Sequence, residues 1–302
     1  MDLDGFGGAH SGHADSLDTE ASRHISRRED PTRAGGGKVG VASTPSRGEA
    51  GVVANGPPRT TGDNVLCRSG LLVKLSAADR ALLWPHLSLV SLVQGEALFH
   101  PGDDVGSVHF PCDHTLVSLN VVRNDGQSAE TELIGREGAV GGLVSRGPKP
   151  AFARAVVQIP GDAWRIDVEA LDAAKAQSTR LADTFARYAD CLLSQLLQSV
   201  ACNQHHSLEQ RMARKLLAYQ NGHGDAELPL TQEHLSRMLG ATRTYVTKTA
   251  TEFQARGLIS YARGRVRVLD RAGLEKAACR CQLAVRKHYE HVLPDVLSAD
   301  VA

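Results

Sequence analysis

Four residues in the C-terminal third carry side chains that can bind nucleic acid: Arg243, Thr244, Thr247 and Lys248. Their spacing places them together on the outer face of one predicted helix. The inner face of that helix is apolar and consists of Val246, Ala250 and Phe253. Arginine and lysine bind phosphate oxygens and the guanine acceptors O6 and N7, while threonine can contact a phosphate or a base. The pattern therefore predicts a helix whose polar face lies in the major groove of DNA.

A shorter helix is predicted just before this one. Thr231 is a suitable N-cap, and Glu233 lies in the first turn, where a negative charge is favourable. Its apolar stripe consists of Leu235, Met238 and Leu239. Gly240 then ends the helix at a position suited to a tight turn, and Thr242 can cap the helix that follows. Two short helices joined in this way predict a helix–turn–helix motif.

The segment after the motif predicts a basic β-hairpin wing. Residues 260–269 contain two short β-type runs around Arg263-Gly264. Over residues 243–271 there are seven Lys or Arg and two acidic residues, although the whole chain balances 34 basic against 34 acidic residues. A neutral chain has thus concentrated positive charge where a phosphate backbone would lie. A solvated face of a helical bundle is the alternative, and the wing favours DNA binding.

Cysteine and histidine residues offer weaker signals. The six cysteines include no C-x-x-C pair, so we expect reduced thiols; Cys279 and Cys281 form a poor metal clip by themselves. A cupin-type metalloenzyme could use histidines of the predicted strand region, namely His100, His109 and His114, but these lack an H-x-H pair. With no nucleophile–base pair or phosphate loop either, we predict no metal, no cofactor and no enzyme activity.

The elements that position these residues follow from hydrophobic periodicity. Short amphipathic helices are predicted over residues 71–87. Antiparallel strands follow at 89–92, 97–99, 107–110, 115–122, 131–134, 153–159 and 163–166, with Asp125-Gly126 as a hairpin turn. Residues 168–206 then lack proline and glycine, which predicts long helical structure. Two apolar stripes on it indicate burial by its own domain and by a second subunit. We expect the dimer contact at Leu181, Phe185, Leu192 and Leu196.

We therefore expect an α+β protein with five segments. They are a disordered tail at 1–62, a β-roll effector domain at 63–170, a dimerisation helix at 171–206, a winged helix–turn–helix domain at 207–272 and a helical extension at 273–302. The tail is rich in glycine and poor in large apolar residues, so it cannot bury enough surface to order itself. With neither a run of 18 apolar residues nor an N-terminal secretion signal, we expect a cytoplasmic protein without membrane contact.

Residues 64–275 as a whole resemble the Crp/Fnr superfamily of bacterial transcription regulators. The resemblance rests on Gly95-Glu96, Pro101-Gly102-Asp103, the long helix, residues 230–240, Thr242-Arg243 and Gly257-Leu258-Ile259. It implies an antiparallel β-roll sensor, a long dimerisation helix and a C-terminal winged helix that binds palindromic double-stranded DNA as a homodimer, with RNA polymerase as a further partner. The alternative is a protein-interaction or small-molecule sensor module that binds no operator.

The resemblance also assigns residue roles. Arg243 and Lys248 occupy base-contacting positions, whereas Thr231, Gln232 and Thr242 occupy phosphate-contacting positions. Thr244 departs from the family, which commonly has glutamate there to accept from a cytosine amino group. On the wing we expect Arg263 and Arg265 to contact phosphate.

The sensor departs further from the family. Cyclic-AMP receptors place a Gly-Glu pair and an Arg-Ser pair where this chain has Gly141-Gly142 and Lys149-Pro150. Lys149 could attract an anion only weakly. Iron–sulfur members carry clustered N-terminal cysteines, and this tail has none before Cys67. We therefore expect neither a cyclic nucleotide nor an iron–sulfur cluster, and the effector stays unknown.

Overall fold

The computed structural model describes residues 68–297, except 123, 125–127, 225–226 and 295. The predicted tail at 1–62 and the predicted Asp125-Gly126 turn lie outside the described residues. The chain first forms helices α1 (Gly70–Lys74) and α2 (Ala77–Leu83) and a short 3-10 turn, Trp84–His86. Their buried leucines pack into the core of the domain that follows.

Seven strands then form two antiparallel sheets. The strands are β1 (Ser88–Leu92), β2 (Ala97–Phe99), β3 (Ser107–Pro111), β4 (Leu116–Val122), β5 (Ser128–Ile134), β6 (Arg154–Ile159) and β7 (Gly161–Asp167). One sheet has the order β1-β7-β3 and the other β2-β6-β4-β5. Strands β4 and β5 pair from Val122↔Ser128 to Val117↔Ile134, as a hairpin requires. The antiparallel strands predicted from short apolar runs separated by turn residues are thus confirmed.

The predicted dimerisation segment is broken by a serine. Helix α3 (Val168–Gln177) ends at Ser178, whose backbone is extended, and helix α4 (Thr179–His205) begins after it. The Ser178 hydroxyl accepts from the Leu181 N–H and donates to buried Asp79 at 2.6 Å, and Asp79 also pairs with Arg180. The helix expected at 171–206 therefore starts at 179, since a tertiary anchor on α2 fixes the break.

The C-terminal part is helical around a small sheet. It comprises α5 (Leu208–His223), β8 (Glu227–Leu228), α6 (Gln232–Leu239), α7 (Arg243–Ala255), β9 (Ile259–Ala262), β10 (Arg265–Val268), α8 (Arg271–Ala277) and α9 (Cys281–Val292). The sheet order is β8-β10-β9. Helix α9 packs along α4, where the Tyr289 hydroxyl donates to Gln195 Oε1 at 2.7 Å. The described residues of the C-terminal extension are thus part of the folded unit.

Two of the four predicted dimer residues are unavailable for a partner. Leu181 and Phe185 are fully buried in this chain's own core, beside Tyr188 and Tyr289. Leu192 is partly buried and packs against the strand core, and Leu196 is partly buried. The large apolar residues that α4 leaves exposed are Leu193, Leu197 and Val200. The assignment of Leu181 and Phe185 to a subunit interface is therefore corrected, because the inner stripe of α4 is covered by α3, α9 and the β-roll.

Candidate nucleic-acid interface

Capping side chains and a left-handed glycine define the helix–turn–helix. The Thr231 hydroxyl accepts from the His234 N–H at 3.1 Å, and the Thr242 hydroxyl accepts from the Tyr245 N–H at 3.4 Å. Between the two helices Gly240 has φ 58°, a conformation that glycine adopts at little cost. The apolar stripes of both helices are buried together: Leu235, Met238, Leu239, Val246, Ala250 and Phe253. The predicted motif is confirmed in each of these features.

The wing is a two-residue hairpin. Ala262 pairs with Arg265 across β9 and β10, and the turn residues Arg263 and Gly264 both have positive φ, 51° and 75°. Positive φ at both central residues is the geometry of a type I′ turn. The exposed Arg263 therefore sits at the tip of the wing.

The outer face of α7 is exposed and polar, as predicted. Arg243, Thr244 and Lys248 are exposed there, and so are Thr231 and Gln232 at the start of α6. Two helix N-termini thus present hydroxyl and amide groups beside an arginine and a lysine. Backbone N–H groups at a helix N-terminus attract phosphate, so the arrangement suits a DNA backbone next to a major groove.

Several of the basic residues are already held by acidic partners. Glu233 Oε2 lies 3.0 Å from Arg243 Nη2, and Glu233 Oε1 lies 3.4 Å from Arg237. On the wing, Arg265 and Arg267 both pair with Glu227. Within the described part of the chain, Lys248 and Arg263 form no ion pair. Lys248 and Arg263 can therefore bind a phosphate directly, whereas Arg243, Arg265 and Arg267 would first have to share or leave their acidic partners.

Two residues of this surface were missed by the sequence analysis. Glu233 was assigned only a helix-terminal role, although it orients the guanidinium of Arg243. Tyr245, in the first turn of α7, exposes 53% of its surface beside the basic residues. An aromatic residue on the polar side of an otherwise consistent helical pattern is the signal that could have identified Tyr245.

A buried polar network lies directly beneath the helix–turn–helix. Glu130 on β5 contacts Lys215 Nζ at 3.1 Å and accepts from the Tyr219 hydroxyl at 2.7 Å. The same hydroxyl lies 2.9 Å from His234 Nε2 on α6. Burial disfavours the charged carboxylate of Glu130, but the Lys215 ammonium, with His234 and Tyr219, outweighs it and lowers the pKa to about 2. No sequence pattern pairs residues 85 positions apart, so the sequence analysis missed this network.

Two of the positions compared with cyclic-AMP receptors, Gly142 and Lys149, lie against each other in the β-roll. A Cβ atom on Gly142 would clash with the side chain of Lys149, which is buried. Lys149 Nζ pairs with Asp172 on α3 at 2.9 Å, and Lys175 pairs with the same carboxylate at 2.7 Å. The ammonium of Lys149 is thus held by Asp172, a carboxylate that it shares with Lys175, and is not directed at an open site.

The histidines proposed for a cupin-type site do not converge. His100 and His114 are exposed, whereas His109 is buried, and burial together with nearby Arg165 lowers the His109 pKa to about 4. Among the described residues only one group of potential metal ligands is brought together, and it contains none of these three histidines. The geometry gives the metalloenzyme alternative no support.

The cysteines differ from the prediction of six reduced thiols. Cys112 is disulfide-bonded, so that prediction is wrong at this residue. Cys191, Cys202, Cys279 and Cys281 are free and buried. Three of these four meet at the end of α4, which the expectation of no metal site did not anticipate.

Comparison with known proteins agrees with this geometry. Residues 210–277 match a family model described as the Crp-like helix-turn-helix domain. No curated protein sequence matches the chain. Among the described residues no helix is long and apolar enough to cross a membrane.

Similar solved structures include several regulators. A putative transcriptional regulator of the Crp/Fnr family from Eubacterium rectale is 20% identical with a TM-score of 0.54, over 68% of this chain and 96% of that one. FixK2 from Bradyrhizobium japonicum is 13% identical, TM-score 0.54, over 64% and 98%. CLP from Xanthomonas campestris, a c-di-GMP-responsive global regulator, is 16% identical, TM-score 0.54, over 65% and 100%. The similarity shows a shared fold that occupies about two thirds of this chain.

Proposed function

We propose that this chain, which has the fold of Crp/Fnr transcription regulators and a Crp-like helix–turn–helix domain, binds palindromic DNA sequence-specifically as a homodimer. The observation that carries the proposal is the outer face of α7. It presents Arg243, Thr244 and Lys248 to solvent, while the opposite face is locked into the domain core. A helix held in this way can enter a major groove without unfolding its own domain.

The roles proposed within the interface differ by position. Arg243 stands directly after the Thr242 cap, at the end of α7 that would enter the groove, and its planar fork can donate to guanine O6 and N7. Glu233 supports this orientation from α6. Thr231, Gln232 and Thr242 are proposed to contact phosphate, and Arg263 and Arg265 to do so from the wing. Lys248 lies one turn further along the same face and is the second proposed base contact.

The homodimer is proposed to form along α4. Leu193, Leu197 and Val200 are exposed at spacings of four and three, the pattern of a two-helix seam. With one recognition helix per subunit, such a dimer would contact two half-sites about one helical turn, ~34 Å, apart. We further propose RNA polymerase as a partner and a cytoplasmic location, in keeping with a regulator rather than an enzyme.

The proposed function is tested by selecting bound duplexes from a random-sequence pool. Isotherms are then measured on the selected and a scrambled duplex at two salt concentrations. We expect Arg243→Ala to cost ~1–3 kcal/mol on the selected site and to flatten preference at one base pair of each half-site. Arg263→Ala and Arg265→Ala are the matched controls, because loss of a phosphate contact weakens all sequences alike and lowers the salt slope by about one.

Two results would contradict the proposal. If no sequence is enriched from the pool, the chain is not an operator-binding protein, and the sensor-module alternative gains support. If Arg243→Ala weakens both duplexes equally, α7 does not read bases, and the wing becomes the better candidate for that role.

A further inference from the structure

Four potential metal ligands meet where α4 ends. Cys202 lies in the last turn of α4, and His206, four residues later, caps its C-terminus. Cys279 and Cys281 come from the junction of α8 and α9. The sulfur of Cys202 lies 3.5 Å from that of Cys279, and the sulfur of Cys281 lies 3.5 Å from His206 Nδ1. All four ligand atoms are within 4.8 Å of one another.

We propose that these residues form a closed, structural zinc site with a Cys3His ligand set. In a tetrahedral site with Zn–S bonds of ~2.3 Å, the sulfur atoms lie about 3.8 Å apart. The 3.5 Å between the sulfur atoms of Cys202 and Cys279 is close to this distance. Thiolate and imidazole ligands select Zn²⁺ over the oxygen-preferring Mg²⁺ and Ca²⁺. Because the four atoms converge on one point, the set suits a single ion rather than a cluster of several irons.

The surroundings of the site also suit a metal ion. The three cysteines pack against one another as a separate buried cluster. Three thiolates and one Zn²⁺ carry a net charge of −1, which needs a nearby cation in a buried place. Arg214 on α5 interacts electrostatically with Cys202 and Cys281, and its Nε is buried with no hydrogen-bond partner among the described residues. Zn²⁺ binding replaces the three thiol protons, which pass to solvent.

The position of the site indicates what it does. Helix α4 ends at its C-cap, His206, and Ser207 begins α5 with a capping box. Residues 206–207 are therefore the hinge between α4 and the DNA-binding domain, and Cys202 and His206 lie at this hinge. Cys279 and Cys281 attach the start of α9 to the same hinge, and α9 then packs back along α4. Four protein ligands leave no open position for a substrate. The ion would therefore bind the C-terminal extension to the hinge and fix the angle between α4 and α5.

None of the four ligands lies within residues 210–277, which match the helix–turn–helix family. The site therefore lies outside the matched domain, and metal binding there does not depend on DNA binding. Metal content can be measured without DNA, so a failure of this proposal and a failure of the proposed function are distinguishable.

The first experiment measures zinc in the full-length chain, purified without chelator, by mass spectrometry. We expect about one zinc per chain. Stripping the metal and titrating Co²⁺ should produce intense thiolate-to-cobalt absorption and the visible bands of tetrahedral Co²⁺, saturating at one equivalent. Cys279→Ser, Cys281→Ser and His206→Ala should each lower retained zinc at least about tenfold, because each removes one first-sphere donor.

Matched controls separate ligation from general damage. Cys191→Ser changes a buried free cysteine of α4 outside the site, and His205→Ala removes the exposed histidine beside His206. Both should keep one zinc per chain. His206→Cys keeps a metal ligand at the position that His206→Ala leaves empty. It should therefore retain the metal and shift the cobalt absorption to that of a four-thiolate site. These measurements use soluble, folded protein, verified by circular dichroism.

Three outcomes would overturn the proposal. One is wild-type protein that holds less than ~0.1 zinc per chain and shows no cobalt–thiolate absorption after reconstitution. Another is zinc that persists unchanged in Cys279→Ser and Cys281→Ser. A third is a Cys202–Cys279 disulfide in protein handled under reductant, since these sulfurs are near enough to be linked by oxidation instead.

Discussion

At the scale of single residues, Lys149 shows how one side chain can alter a binding site. Its aliphatic chain covers Gly142, and its ammonium is held by Asp172. We therefore expect a cyclic nucleotide at these positions to lack an acceptor for its ribose hydroxyl and to meet a lysine that is already bound to Asp172. Leaving those ligand groups without partners costs binding free energy.

The sensor is accordingly expected to ignore cyclic AMP and cyclic GMP. Isothermal titration calorimetry of the full-length protein should show no binding tighter than ~10 μM, about −7 kcal/mol, for either nucleotide. Lys149→Ala, which uncovers Gly142, serves as the comparison variant and should not create binding, since it adds no acceptor. A tighter dissociation constant for the wild type would show that the pocket is organised differently.

At the scale of elements, helix α4 has one apolar face that is buried in its own chain and one that is exposed. The face with Leu181, Phe185 and Tyr188 is buried in the chain's own core, which α9 completes. The face with Leu193 and Val200 is exposed. Exposed leucines in an otherwise polar stretch of helix are unfavourable in a monomer, and a second copy of the helix would bury them.

Charge placed on the exposed face should separate the proposed dimer. We expect Leu193→Asp combined with Leu197→Asp to raise the dimer dissociation constant at least about 100-fold, about 2.7 kcal/mol, because two buried carboxylates would face an apolar seam. Leu283→Asp, an exposed leucine of α9, is the matched control and should leave association unchanged. Sedimentation equilibrium measures both. Wild-type protein that is monomeric at micromolar concentration would contradict the dimer itself.

At the scale of the whole molecule, Glu130 joins the β-roll to the DNA-binding domain. Its carboxylate on β5 is shared by Lys215 and Tyr219 on α5, and the network continues to His234 on α6. The charged side chains of Glu130 and Lys215 are almost fully buried. A movement of β5 away from α5 would therefore have to break these buried polar contacts, which are costly to leave unmade.

Removing the Glu130 charge should destabilise the protein at neutral pH. Glu130→Gln leaves Lys215 buried without its counterion, a loss of about 3–5 kcal/mol in the free energy of unfolding. The folded-state pKa of Glu130 is about 2, below its ordinary value of 4.5. Its contribution is therefore fully present above pH 4.5 and is lost as the pH falls toward 2. Urea unfolding across this range should show the wild type and variant converging.

Glu132→Gln provides the control on the same strand. Burial raises the pKa of Glu132, so folding disfavours its ionised form, and removing that charge should cost much less at pH 7 than removing the charge of Glu130. A difference between wild type and Glu130→Gln that stays constant from pH 7 to pH 3 would contradict the ionised pairing with Lys215.

The sequence by itself determined the elements whose causes are local. Short apolar runs separated by turn residues predicted the strands of the β-roll, and threonine caps with Gly240 predicted the helix–turn–helix. The Arg263-Gly264 turn similarly marked the wing. Each of these depends on residues only a few positions apart, whose backbone preferences act before the chain is compact.

Only the tertiary structure decided which distant side chains meet. Asp79 contacts Ser178 where the predicted long helix is interrupted, and Glu130 contacts Lys215. Cys202 contacts Cys279, which is 77 positions away in the sequence. The choice of which stripe of α4 is covered was also made there, because α9 returns from the far end of the chain to pack on it. Such contacts arise from burial and chain topology, which leave no periodic trace in the sequence around either partner.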